Sequence, residues 1–138
     1  MAATSTWDYK QQFNEGCACL SWIPGHDSLL AAGMADRYLR ILDIRSKDNA
    51  VKTVEAHRGA VNGVAVRCPD SRVLATWSYT PGEPVKIWDV RKLQDGLTAL
   101  TMPHTVATLR ARSASSVIDV AWCPGRVDRI ATVHSDNP

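Results

Sequence analysis

The groups able to do chemistry in this chain are few, and their spacing argues against chemistry. There are four cysteines, Cys17, Cys19, Cys68 and Cys123. Cys17 and Cys19 form a lone Cys-x-Cys. No Cys-x-x-Cys or Cys/His spacing suits zinc, so no metal site is expected. Two apart on a strand, Cys17 and Cys19 would share one face, and the four read as reduced, packed thiols of a cytosolic protein. His57 could serve as a general base, but no nucleophile or carboxylate stands in a matching motif. There is no glycine-rich phosphate loop, no nucleophile elbow and no paired-carboxylate arrangement. The expectation is no catalytic residue, no cofactor and no metal, hence not an enzyme.

Bulk properties narrow the class further. The chain has 138 residues, 16 basic against 14 acidic, for a net charge of +2. That length allows one modest core. The charge balance gives no electrostatic case for nucleic acid as a partner. The apolar runs are far too short to span a bilayer, so no direct membrane insertion is expected. Residues 1–15 lack a basic region followed by an apolar one, as a secretion signal would have. With reduced cysteines and no secretion signal, a cytoplasmic location is expected.

The elements that would position these residues are strands. Residues 85–91, Val-Lys-Ile-Trp-Asp-Val-Arg, alternate with period two and carry β-branched and aromatic side chains. The stretch contains Trp88-Asp89, the dipeptide that marks a propeller blade in WD-repeat proteins. A related stretch, Tyr38 to Arg45, places Leu42-Asp43 46 positions earlier (88 minus 42). That interval is near the propeller period of about 40–45 residues. Strands are expected over 17–24, 28–35, 38–45 and 51–55, then 61–68, 72–78, 85–91 and about 97–102. A third cycle opens over 117–124 and 129–133. Asp36-Arg37 is a turn signal between strands. Pro24, Pro69 and Pro124 are expected to close the first strand of each cycle, and the words around them superpose: Trp22-Ile23-Pro24, Arg67-Cys68-Pro69 and Trp122-Cys123-Pro124. The expected architecture is all-β, a partial β-propeller of about two and a half to three four-stranded blades. Residues 1–16 are a lead-in able to supply an outer strand of a preceding blade. Blades follow over 17–56 and 57–115, with an insertion at 92–116, and the start of a third over 116–138. Trp7-Asp8 reads as coincidence.

Each such sheet has two apolar faces that it cannot bury alone, so sheets must stack. His57 stands before the first strand of the second cycle. In WD repeats a histidine there joins a buried hydrogen-bond set with a strand Ser or Thr, a turn Asp and the Trp. Here the set would draw on His57, Ser78 or Thr76, and Trp88, with the turn Asp missing because residues 79–83 replace it. In the first cycle Asp36 is present but Leu42 stands where Trp would be. Both sets are therefore expected to be incomplete, and apolar packing to dominate. The residues singled out as structural to the repeat are His57, Trp88, Asp89, Leu42, Asp43, Asp36, Trp22 and Trp122. Fewer than three full blades would leave apolar faces and strand edges open to water. The expectation is a fragment, a truncated product, or a piece completed by another chain.

The order of these words resembles the Mio subunits of GATOR- and SEA-type complexes. The matching words are residues 19–24, 29–34, Leu42-Asp43-Ile44-Arg45, 87–92 and 120–126, from about Cys17 to Asn137. The insertion at 92–116 is longer than the family pattern. The resemblance implies a non-enzymatic scaffold within an N-terminal propeller. Its partners would be other subunits of a complex at the lysosomal or vacuolar surface that relays amino-acid availability to TOR kinase. A competing reading is a substrate receptor of a cullin-type ubiquitin ligase. It rests on Trp-Asp-x-Arg, which Trp88-Asp89-Val90-Arg91 matches and Leu42-Asp43-Ile44-Arg45 copies more weakly. In that reading Arg91 and Arg45 reach the ligase adaptor.

Overall fold

The period-two stretches become strands because alternate side chains find a neighbouring sheet to cover them. The computed structural model describes residues 13–25, 28–45, 50–68, 73–90, 105–109, 115–126 and 128–135. Among these residues there are ten strands: β1 (Cys17–Trp22), β2 (Leu29–Met34), β3 (Tyr38–Asp43), β4 (Ala50–Glu55), β5 (Gly63–Val66), β6 (Val73–Trp77), β7 (Val85–Asp89), β8 (Thr105–Leu109), β9 (Ser116–Trp122) and β10 (Ile130–Ser135). They form three antiparallel sheets in chain order, β1-β2-β3-β4, β5-β6-β7-β8 and β9 with β10. Gly25, Arg37 and Gly82 take positive φ at turns, with Arg37 at 78° bearing a side chain where glycine is usual.

Two apolar layers hold the sheets together. Between the first and second lie Ala31, Leu39, Ile41 and Val54 from one side, and Val61, Leu74, Trp88 and Val90 from the other. Between the second and third lie Ala75, Trp77 and Val85 against Val117 and Val120. The first strands β1, β5 and β9 neighbour one another in succession. Such contact along one edge is what sheets arranged around an axis produce. Small residues permit it: a Cβ on Gly33 would run into the Val61 carbonyl and the Cys19 sulfur.

The pairing corrects several expectations. The strand beside β7 is Thr105–Leu109, with Val85 opposite Leu109 and Lys86 opposite Thr108. It is not the 97–102 stretch, which lies outside the described residues. β5 is shorter than expected, because the Val61 N–H bonds across to the Met34 carbonyl of the first sheet (3.0 Å) instead of to β6. The proline alignment slips by one in the second cycle. Trp22 pairs with Leu30, Val66 with Leu74 and Trp122 with Ile130, so Val66, not Arg67, matches the two tryptophans. A bulge between Cys17 and Cys19 breaks the simple alternation there. Trp7-Asp8 lies outside the described residues. No helix among the described residues is long and apolar enough to cross a membrane.

Candidate functional site

The side chains with the most constrained chemistry meet between β5, β6 and β7. His57 sits in the connection from β4 to β5, anchored by its N–H to the Arg37 carbonyl (3.3 Å). Thr76 projects from β6 and Trp88 from β7, both toward the first sheet. Trp88 Nε1–H donates to Thr76 Oγ1 at 2.8 Å, and Thr76 Oγ1 lies 2.8 Å from His57 Nε2. On its other side, His57 Nδ1 lies 3.0 Å from Glu83 Oε2. Arg58 closes the chain, its Nε–H donating to Glu83 Oε1 at 2.6 Å and its backbone N–H to Oε2 at 3.3 Å. The set is therefore complete. Glu83 stands in for the turn aspartate.

Proton placement follows from donor counting. Trp88 can only donate, so Thr76 accepts from it and has one hydrogen left to give. When that hydrogen goes to an unprotonated His57 Nε2, Nδ1–H donates to the Glu83 carboxylate. A neutral imidazole satisfies every member, and burial pushes the His57 pKa down, against the opposing pull of Glu83. Burial would raise the Glu83 carboxyl, but hydrogen bonds from Arg58 and His57 outweigh it and hold it below the usual range. His57, Thr76 and Trp88 are 2%, 0% and 1% exposed. No substrate reaches this imidazole, and its proton is already committed. The arrangement fixes two sheets and a turn.

The first sheet fills the same places differently. Ala32 stands where Thr76 is, Leu42 where Trp88 is, and Phe13 precedes β1 as His57 precedes β5. Phe13 packs against Ala32, Met34 and Leu42. Asp36, the turn acid, bonds instead to Arg40, Oδ1 to Nη1 at 3.0 Å and Oδ2 to Nη2 at 2.7 Å. The Arg40 guanidinium lies 5.1 Å from the Phe13 ring centroid and 5.4 Å from that of Tyr38. The hydrogen bonds from Arg40 hold the Asp36 carboxyl below its usual pKa.

The remaining singled-out residues are scattered. Asp89 is buried at the end of β7, opposite Val73. Asp43 accepts from the Arg45 guanidinium at 3.1 and 2.9 Å, and this pairing lowers the Asp43 pKa to about 2. The Arg45 fork is thus occupied by its own strand end, although its side chain is 72% exposed. Arg91 lies outside the described residues. Trp122 packs against the second sheet, while Trp22 is exposed on β1. Ser78 is not the hydroxyl of the His57 set; its Oγ donates to Thr80 Oγ1 at 3.0 Å. Glu83 was missed from sequence because a Glu after Pro-Gly does not look like the usual turn Asp. Counting back from the tryptophan would not have found it: Asp36 is six before Leu42, and six before Trp88 stands Gly82, with Glu83 one residue later. All four cysteines are free thiols, and burial pushes the Cys19 pKa up to about 11, leaving that thiol unreactive. Among the described residues no group of three or more His, Cys, Asp or Glu could hold a metal ion.

Comparison with known proteins agrees with this geometry. The family described as MIOS, WD40 repeat matches residues 3–138. The chain is 32% identical over 123 residues to the GATOR2 complex protein MIOS of Dictyostelium discoideum, covering 89% of this chain and 10% of that protein. It is 33% identical over 129 residues to the GATOR2 complex protein MIOS-A of Xenopus laevis, covering 94% of this chain and 13% of that one. It thus spans about a tenth of the length of these relatives. A chain in the crystal structure of the mitotic checkpoint complex superposes with a TM-score of 0.64 at 28% identity, over 84% of this chain and 32% of that chain.

Proposed function

The chain belongs to the MIOS WD40-repeat family, and from that premise we propose that it is a WD-repeat scaffold that assembles with other subunits of a GATOR2-type complex and performs no chemistry of its own. The observation that carries this is the family match over residues 3–138 on a partial propeller of stacked blades. It is supported by the closed His57–Thr76–Trp88–Glu83 set, which uses the most catalysis-like groups to hold sheets together. The blades run over 17–56 and 57–115, with the beginning of a third over 116–138. The complex would relay amino-acid availability to TOR kinase at the lysosomal or vacuolar surface.

The test is co-purification of the tagged chain, expressed in cells that carry a GATOR2-type complex, with Arg45→Ala and Arg91→Ala variants in parallel. Retention of GATOR2-type subunits by the wild type supports the scaffold reading. Their absence while a cullin adaptor is retained, and lost in Arg91→Ala, would replace it with the ligase-receptor reading. Arg45 is the weaker contact for an adaptor, because Asp43 already holds both arms of its guanidinium.

A further inference from the structure

Arg58 is held on one side and open on the other. Its Nε–H donates to Glu83 Oε1 at 2.6 Å and its backbone N–H to Glu83 Oε2 at 3.3 Å. Glu83 is buried and in turn bonded to His57 at 3.0 Å. The guanidinium is thus fixed from below, while the Arg58 side chain is 78% exposed. Among the described residues its Nη1 and Nη2 meet no acceptor. An arginine that grips a ligand must give up rotamer freedom, and here Glu83 has already taken it. The two N–H groups left facing water form the planar fork that matches one carboxylate.

This place does not lie on an outward face of the stack. Arg58 stands in the connection between the first and second sheets, both four-stranded, so a sheet packed outside the first or the third would not cover it. Beside it is Arg37, whose carbonyl accepts from the Ala56 and His57 N–H groups. Arg37 keeps a long side chain at φ 78°, and its guanidinium pairs with Glu55 at 3.2 Å. On the other side the β6–β7 turn packs closely on the connection, since a Cβ on Gly59 would run into Thr80 Oγ1. That turn exposes Tyr79, 53% accessible, and ties its N–H to Asn62 Oδ1 at 2.8 Å. Tyrosine and arginine on a fixed backbone are the residue types that carry binding energy at protein interfaces.

Charge decides what fits. Arg37 is balanced by Glu55 and Arg58 by Glu83, so these groups leave no surplus positive field for a phosphate dianion. What remains is a directional pair of donors, which suits a single carboxylate. We propose that Arg58, flanked by Tyr79, is the docking point for an acidic segment of a partner protein. An Asp or Glu carboxylate of that segment accepts from both Nη1 and Nη2, and the residue next to it packs on the Tyr79 ring. The proposal rests on the scaffold reading and adds the place and the chemistry of one contact.

Fluorescence anisotropy with fluorescein-labelled octaglutamate, at low ionic strength, tests this on the full chain. The wild type should bind it saturably and should not bind octaglutamine. Arg58→Gln should weaken binding by about tenfold or more, as expected for a lost charge-assisted pair. Arg58→Lys keeps the charge without the fork and should be as weak. Tyr79→Ala should weaken binding to a smaller extent. Arg126→Gln, an equal loss of charge in the exposed connection after β9, should change nothing. Near-UV circular dichroism checks that the Arg58 variants are folded; Tyr79→Ala, outside the His57 set, decides the matter if they are not. The proposal is overturned by absence of saturable binding, by an equal loss in Arg126→Gln, by Arg58→Lys or Tyr79→Ala binding as the wild type does, or by displacement with inorganic phosphate where acetate of equal ionic strength has no effect. Co-purification judges the scaffold reading separately: GATOR2-type subunits retained without octaglutamate binding overturn this proposal alone, and subunits not retained overturn that reading.

Discussion

The first and second sheets share a backbone plan and differ in how they fill it. In the second, four polar groups occupy the positions before, within and beside the strands: His57, Thr76, Glu83 and Trp88. In the first, three of those places are apolar, Phe13, Ala32 and Leu42, and the fourth, Asp36, pairs outward with Arg40. Both solutions bury the same backbone. A buried polar chain is acceptable when every member has a partner, and an apolar set is equally acceptable when it has none to satisfy. What neither tolerates is a mixture. The two sheets therefore share a satisfaction rule, and the chemistry that meets it is free to change.

The largest effect should come from forcing such a mixture. Thr76→Ala removes the hydroxyl that accepts from Trp88 and donates to His57, leaving two buried polar atoms unpaired. Each orphan costs about 1–3 kcal/mol, so a loss of about 2–6 kcal/mol is expected in urea unfolding. His57→Phe should also destabilise alone. The double variant His57→Phe/Thr76→Ala copies the first sheet's pair and leaves Trp88 Nε1 as the only orphan. It should cost less than the sum of the singles by about 1 kcal/mol or more. Strict additivity would mean that the chain of hydrogen bonds is not a unit.

A second break lies where the polar and apolar plans meet the neighbouring sheet. Gly63 is opposite Trp77 in the ladder, and a Cβ there would run into the Trp77 ring. That ring donates from Nε1 to the Ile118 carbonyl at 3.2 Å, tying the second sheet to the third. Gly63→Ala should cost about 1–3 kcal/mol by overpacking. The matching position in the first sheet has Cys19 opposite Gly33, the large and small residues exchanged. Gly63→Ala/Trp77→Ala should recover the strain but lose the cross-sheet bond.

Much of this plan was legible in the sequence. Nine strands fall where alternation, turn residues and the Trp-Asp words place them, because half-buried strands must alternate. The fourth strand of the second sheet was not: it was expected near Leu97–Met102, yet Thr105–Leu109 is what pairs with β7. Thr-Val-Ala-Thr-Leu is too short and too far from Asp89 for local pattern to favour it. The hydrogen-bond set was half legible. His57 and Trp88 are marked by position, but Glu83 belongs to it through reach across a turn containing Gly82 at φ 75°, a three-dimensional fact. The one-residue slip at Pro69 arose because a proline marks the end of a strand only to within the length of the turn.

Acid should separate the two sheets next. His57 is held neutral in the fold, so its folded pKa lies below the unfolded value of about 6.5. The stability it contributes is complete above about pH 6.5 and falls as pH drops below that, because the unfolded chain takes up the proton first. Glu83, also depressed, adds a further loss below about pH 4.5 as its own folded pKa is approached. Stability should therefore decline from neutral pH towards pH 5 in the wild type, and His57→Gln should flatten that part of the curve while lowering the plateau. An unchanged slope in His57→Gln would assign the acid sensitivity to some other group.

The smallest effect belongs to the first sheet's acid. Asp36 and Arg40 have side chains 21% and 16% exposed, near enough to water for their attraction to be partly screened, and they support no buried chain of donors. Asp36→Asn keeps the shape of the turn and should cost about 1 kcal/mol or less, with part of that already lost by the wild type in 1 M salt. Glu83→Gln makes the same formal change in the second sheet, yet it turns one of the two oxygens that accept from His57 and Arg58 into a donor facing a donor. It should cost more than Asp36→Asn and respond less to salt, since Glu83 is 3% exposed. Equal costs would mean that the turn acid does the same work in both sheets, and that Phe13, Ala32 and Leu42 have replaced the polar chain in name only.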